Sequence, residues 1–168
     1  MEIVNKVAQS GLLTLDLESL VDDVRIDVFD IKDHLHMEYV LREEDFRATL
    51  DAYDWARHAG RYLAVTCSND AIVASWAFML VAAKAAGIAA DVRFGSAEQV
   101  LLDVLDERLN ALEWSIYSGK RVLLKGCSKM ELPQGAYVRA TARLVSVADR
   151  VMYGEACSFV PVWRRMKS

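Results

Sequence analysis

Every cysteine in the chain is followed by a serine, in Cys67-Ser68, Cys127-Ser128 and Cys157-Ser158. With 11 serines in 168 residues, chance rarely puts one after every cysteine, so the recurrence asks for a shared cause. A thiolate ligand or nucleophile is stabilised by nearby N–H and O–H donors, and a following serine supplies both a backbone amide and a hydroxyl. Three such thiolates suit Zn²⁺, iron, or three corners of an iron–sulfur cluster, with the fourth position left to an acidic side chain, water or a client. Asp70, just after Cys67, and Glu155, just before Cys157, are the candidates for that fourth ligand. The expected metal set is therefore Cys67, Cys127, Cys157, Asp70 and Glu155, supported by Ser68, Ser128 and Ser158.

The spacing between the cysteines is long and matches no finger or ferredoxin pattern, which leaves two rival readings open. In one, Cys67 sits at a helix N-terminus, where a thiol pKa falls, and acts as a nucleophile or persulfide carrier. In the other, the cysteines are small buried hydrophobes and the protein is a non-catalytic interaction module. An odd cysteine count in a chain expected to be cytoplasmic favours metal or catalytic use over bridging. His34 and His36 alternate and could face one metal, but no cysteine stands near them, and solvation is the expectation. No GxSxG, P-loop or GxGxxG is present, so hydrolase and nucleotide readings have no motif behind them.

The elements that must position these residues alternate between short apolar runs and long helical patterns. Arg25–Ile31 alternates as a strand, and Leu41–His58 reads as a helix with Glu43, Glu44 and Asp45 at its positive end. Tyr62–Thr66 is a continuous apolar strand that runs into Cys67 and a helix over Ala71–Ala90. Further strands are expected at Ala90–Phe94, Arg121–Lys125 and Phe159–Trp163, and helices at Ala97–Ser118 and Ala136–Tyr153. No internal repeat or linker is evident, so 1–168 reads as a single α/β domain. Crossover units of this kind imply a three-layer sandwich around a largely parallel sheet of about five strands. Ligands in such sheets lie beyond the carboxyl ends of the strands, where Cys67 and Cys127 close theirs. Cys157 shares that edge only if the last strand is antiparallel, which Pro161 supports because proline belongs on edge strands.

At 168 residues, 54% hydrophobic and 26% charged, the chain buries a core without metal or disulfide staples. A net charge of −4 argues against a duplex nucleic-acid partner. The first residues lack the pattern of a signal peptide. The apolar stretch Ala71–Ala90 carries Lys84, is rich in alanine and has no basic flank, so a helix buried nearly all round is expected in place of a membrane span. Its apolar surface and the Val162-Trp163 tail suggest a homodimer.

The ordered set Val4-Asn5-Lys6-Val7-Ala8, Ser10-Gly11-Leu12, Thr14-Leu15-Asp16-Leu17-Glu18 and Phe29-Asp30-Ile31-Lys32-Asp33 continues through Thr66-Cys67-Ser68, Asp70-Ala71-Ile72-Val73 and Trp76-Ala77. Lys125-Gly126-Cys127-Ser128, Ala136-Tyr137-Val138, Met152-Tyr153-Gly154-Glu155 and Cys157-Ser158 complete it. Over nearly its whole length the chain thus resembles an uncharacterised bacterial family of unknown function, DUF2480. The resemblance includes all three Cys-Ser pairs and Asp70, whereas His34 and His36 stand where other members tend to carry aromatic residues. Members lie near iron–sulfur assembly genes, so the resemblance implies cluster or sulfur handling, with iron–sulfur assembly proteins as partners.

Overall fold

The computed structural model describes residues 11–125 and 130–166. Along the chain the elements are β1 (Leu12–Leu15), β2 (Ile26–Asp30), α1 (Glu43–Ala52), β3 (Tyr62–Thr66), α2 (Ser75–Ala85), β4 (Asp91–Phe94), α3 (Ala97–Asn110), β5 (Arg121–Lys125), α4 (Gln134–Val147), β6 (Arg150–Glu155) and β7 (Ser158–Arg164). Four short 3-10 turns lie at Glu18–Leu20, Ile31–His34, Trp55–His58 and Trp114–Tyr117. The chain divides into two compact units: a continuous one, Asp23–Leu101, and a split one, Met1–Asp22 with Leu102–Ser168.

The continuous unit carries a three-stranded parallel sheet, ordered β2-β3-β4, with Phe29 opposite Val65 and Val65 opposite Phe94. Leu63, Ala64 and Val65 are all buried, as a central parallel strand covered on both faces requires. Helix α1 begins with Glu43, Glu44 and Asp45 at its positive end and buries Phe46 and Leu50 one turn apart. Each contributes roughly 1.5–3 kcal/mol by leaving water. They join Phe29, Trp55, Leu63, Val65 and the small residues Ala77, Val81 and Ala85 of α2 in one core.

Helix α2 is shorter than its apolar sequence suggested and is not buried all round. It starts only at Ser75, after an extended Ala74, and the described residues contain no helix long and apolar enough to cross a membrane. Only the stripe Ala77, Val81 and Ala85 is fully buried, while Met79 on another face is 68% exposed.

The split unit carries the sheet β1-β5-β6-β7, in which β1, β5 and β6 are parallel and β7 is an antiparallel edge strand. The α/β class, the parallel core and the antiparallel last strand with Pro161 on the edge agree with the sequence reading. Two details differ. The strands are dealt into sheets of four and three instead of one of about five, and Leu12–Leu15 forms an additional strand that pairs with β5. Arg150–Tyr153, expected as the end of a helix, belongs to β6, since α4 stops at an extended Ala148. Arg139 and Arg143 do lie on α4 and are tied to α3, with Arg143 3.0 Å from Asp106 and Arg139 donating to the Leu102 carbonyl at 3.0 Å.

The two units also repeat one plan, which overturns the expectation of no internal repeat. Trp55 donates its indole N–H to the Leu50 carbonyl at 2.8 Å, and Trp114 donates to Leu109 at 2.9 Å. Both tryptophans open a 3-10 turn that is followed two residues on by a glycine with positive φ, Gly60 at 71° and Gly119 at 65°. At the same constant offset, the buried stripe Ala77, Val81, Ala85 becomes Ala136, Ala140, Leu144, and the buried Leu63, Ala64, Val65 becomes Val122, Leu123, Leu124. The edge-to-face pair Phe78–Phe94 recurs as Tyr137–Tyr153, at 5.4 and 5.5 Å. Gly95, just after β4, and Gly154, the last residue but one of β6, have φ of 128° and 133°. In each unit the first strand leads to an aspartate, Asp30 or Asp16, whose carboxylate accepts a backbone N–H two residues on.

Candidate functional site

Cys67 follows directly after β3 and is partly exposed. Its Sγ donates to Asn69 Oδ1 at 3.0 Å; the same oxygen accepts the Ala71 N–H, and Asn69 Nδ2 donates to the Glu38 carbonyl. Asp30, at the end of β2, accepts the Ser68 N–H at 3.1 Å. Burial pushes the Asp30 carboxyl up, but the Ser68 side-chain and backbone hydrogen bonds, with Lys32, hold it below its ordinary value. Because α2 begins at Ser75, Cys67 does not lie at a helix N-terminus, and Asp70 stands exposed in the intervening loop. The helix N-terminus expected at Cys67 is therefore not there.

Cys157 is exposed in the two-residue turn between β6 and β7, whose closing pair is Glu155 with Ser158. Cys127 and Ser128 lie outside the described residues. Among the described residues no three His, Cys, Asp or Glu side chains form a group able to hold a metal. The repeat does not explain the Cys-Ser pattern: Cys67-Ser68 follows β3 and Cys127-Ser128 follows β5, the middle parallel strands of the two units, but at the offset of the repeat Cys67 falls on Gly126 and Ser68 on Cys127, one residue out of step.

The carboxyl edge of the split unit holds the denser chemistry. Lys125, the last residue of β5, binds Asp16 at 2.7 Å. The hydrogen bond and charge of Asp16 raise the Lys125 pKa against the effect of burial, with Glu155 and Glu18 adding to the rise. Burial pushes Asp16 up, but Lys125 and the backbone N–H groups after it hold the carboxyl low. Tyr137 and Tyr153 stack edge to face beside this pair. Burial, then the charges of Tyr153, Glu18 and Asp16, raise the Tyr137 pKa. Both tyrosines line an apolar cavity of about 680 Å³ with Leu124, Val138, Val145 and Val162, within the size range of small-molecule sites.

The continuous unit carries a buried group that the sequence reading missed. His58 is 2% exposed and is held between Asp27, at 2.7 Å from Nδ1, and the Tyr53 hydroxyl, at 3.0 Å from Nε2. Arg61 binds the other Asp27 oxygen at 3.0 Å. Burial raises the Asp27 carboxyl, but the His58 bond and the Arg61 charge and bond carry it below its usual range. The available signal was the tyrosine five residues before His58; Asp27 is too far along the chain to suggest a pairing. His34 stacks on Phe29 at 4.8 Å, and burial depresses its pKa against the charges of Asp33 and Asp30. His36 meets Arg42 at 2.8 Å.

No curated protein and no solved structure matches the chain. A family model described as protein of unknown function DUF2480 matches residues 1–165, covering the parallel strands, the Trp-led turns and all three Cys-Ser pairs. The chain belongs to the DUF2480 family.

Proposed function

We propose that this protein is a metal- or iron–sulfur-binding accessory protein that uses the thiolates of Cys67, Cys127 and Cys157 and serves iron–sulfur or sulfur handling. The supporting observation is the direction of β7. Because β7 is antiparallel, the turn that carries Cys157 follows the carboxyl end of β6, and Gly154 of β6 pairs with Lys125 of β5. Cys127 comes two residues after Lys125 in the chain. Glu155 belongs to the same edge and is the acidic fourth ligand we favour over the exposed Asp70. Zinc, iron or a cluster would each accept thiolate ligands of this kind. Cys67 enters the set through the sequence pattern alone, and the thiol-enzyme reading loses its main support with the absence of a helix N-terminus there.

Protein purified without oxygen is expected to carry zinc or iron, or to gain visible thiolate-to-iron absorption on reconstitution. Cys127→Ser and Cys157→Ser should each abolish this, and Cys67→Ser reports whether the third thiol belongs to the same site. Cys157 is exposed in a turn, so its replacement tests ligation without disturbing the core. Protein that stays metal-free after aerobic and anaerobic purification and after reconstitution would sink the proposal. For the metal- or cluster-bound protein we propose iron–sulfur assembly proteins as the partners, and a second copy of the chain as the partner for the exposed apolar residues Met79 and Phe94. Light scattering at the monomer mass would remove the homodimer.

A further inference from the structure

We propose that the split unit binds a small organic phosphate at the end of its sheet opposite Cys157, in a cradle made by Arg121, Arg150 and Arg164. The three arginines occupy directly opposed positions on β5, β6 and β7: Arg121 pairs with Arg150, and Arg150 with Arg164. Opposed residues share a sheet face with their Cβ atoms about 5 Å apart, where like charges repel unless something neutralises them. Among the described residues nothing does. The side chains of these three make no ion pair or hydrogen bond, and Arg121 Nε is buried without a partner. Arg139, Arg143 and Arg165 of the same unit are all bound to aspartates.

The repeat sharpens the contrast. At the positions of Arg121 and Arg150 the continuous unit carries Tyr62 and Asp91, and there the charge is balanced internally: Arg93 binds Asp91 at 2.8 Å and lies over the Tyr62 ring at 5.4 Å. The shared plan therefore does not require an arginine row, and the split unit has one with its charge left open.

The arginines line a concavity of about 360 Å³ together with Met152, Pro161 and Trp163. Guanidinium groups bind oxyanions through paired, charge-assisted hydrogen bonds. A phosphate monoester offers up to two charges and three acceptor oxygens to a row of three, which a single carboxylate does not match. The apolar and aromatic walls suit a flat ring attached to that phosphate. The chain as a whole is acidic, at −4, so general attraction of anions is absent and local geometry must do the selecting.

The test uses AMP, adenosine and inorganic phosphate as probes on the full chain, followed by calorimetry and by the Arg121 Nε–H resonance. AMP should bind saturably, weaken with salt and shift that resonance. Adenosine, without the phosphate, and inorganic phosphate, without the ring, should each bind at least ~10-fold more weakly. The double variant Arg150→Gln/Arg164→Gln should lose at least ~10-fold in AMP affinity, because each guanidinium supplies charge-assisted bonds. Arg164 is exposed and Arg150 only partly covered, so the variant should keep the wild-type melting temperature. Absence of saturable AMP binding, an adenosine affinity equal to that of AMP, or undiminished binding by the folded double variant overturns the proposal.

Discussion

Gly154→Ala should be among the most damaging single substitutions in the split unit, with a cost of ~3–5 kcal/mol. Gly154 adopts φ of 133°, a conformation that favours glycine. A Cβ there would lie 2.6 Å from the Ser158 carbonyl oxygen and 3.0 Å from the Phe159 Cα. Both atoms are backbone of β7, so no rotamer change relieves the collision and the β6–β7 pairing itself must shift. For a chain of this length each 1 kcal/mol lowers the melting temperature by roughly 2–4 °C, so a fall on the order of 10 °C is expected. Gly95 is the internal control. It has φ of 128° in the corresponding place, but its added Cβ would meet only the Gln99 side chain, at 3.2 Å. Gly95→Ala therefore keeps the backbone strain and loses the collision, and should cost ~1–3 kcal/mol. Equal losses for the two variants, or a Gly154→Ala protein that melts with wild type, would refute the account of the hairpin. The same variant displaces the turn that carries Cys157, so under the proposed function it also reduces metal uptake.

The parallel crossover plan is legible in the sequence because it rests on burial periodicity. Phe46 and Leu50 fall one turn apart, Leu63–Val65 is an unbroken apolar run, and so is Val122–Leu124 between Arg121 and Lys125. Pro161 marked the edge strand through a property of its own, the missing N–H. Strand β6 was hidden because Val147, Val151 and Met152 continue the apolar spacing of α4 without a proline or glycine to stop it. What ends the helix is tertiary: Gly119 donates to the Val147 carbonyl at 3.0 Å and Asp149 to the Lys120 carbonyl at 2.8 Å. Losing β6 also hid the arginine row, since within a helix over Ala136–Tyr153 Arg150 has no register with Arg121. The repeat escaped for a related reason. It conserves burial and hydrogen-bond geometry more than identity, so Leu63 stands for Val122 and His58 for Tyr117. Cys67 was placed on the correct strand end, but the loop built by Asn69 separates it from its helix, and side-chain bonding of that kind has no periodic signature.

The repeat also decides what the buried histidine is for. At the positions of Asp27, Tyr53 and His58 the split unit carries Leu13, Leu112 and Tyr117, so the shared plan folds there without a carboxylate or an imidazole. Removing one polar partner is different from removing all three. Asp27→Leu leaves His58 Nδ1 and the Arg61 guanidinium without their acceptor, and His58 is almost wholly buried. The expected cost is ~2–4 kcal/mol, the penalty for stranding a buried donor that had a charged partner. The triple variant Asp27→Leu/Tyr53→Leu/His58→Tyr strands nothing inside the core and should recover most of that loss, because buried polar groups replaced together by packed apolar ones are often close to neutral. Acid separates the two further. The Asp27 carboxyl is held below its ordinary value in the fold, so its stabilisation is fully present above the unfolded carboxylate pKa of ~3.9 and is lost as pH falls through the lower folded value. Wild type should therefore lose more stability than the triple variant between neutral pH and pH ~3, measured by urea midpoints at each pH. Asp16 and Asp30 are also held low, but they are present in both proteins and cancel in the difference. A triple variant as unstable as Asp27→Leu alone would show that the polar trio is required by its own unit and that the correspondence with the sister unit fails at this point.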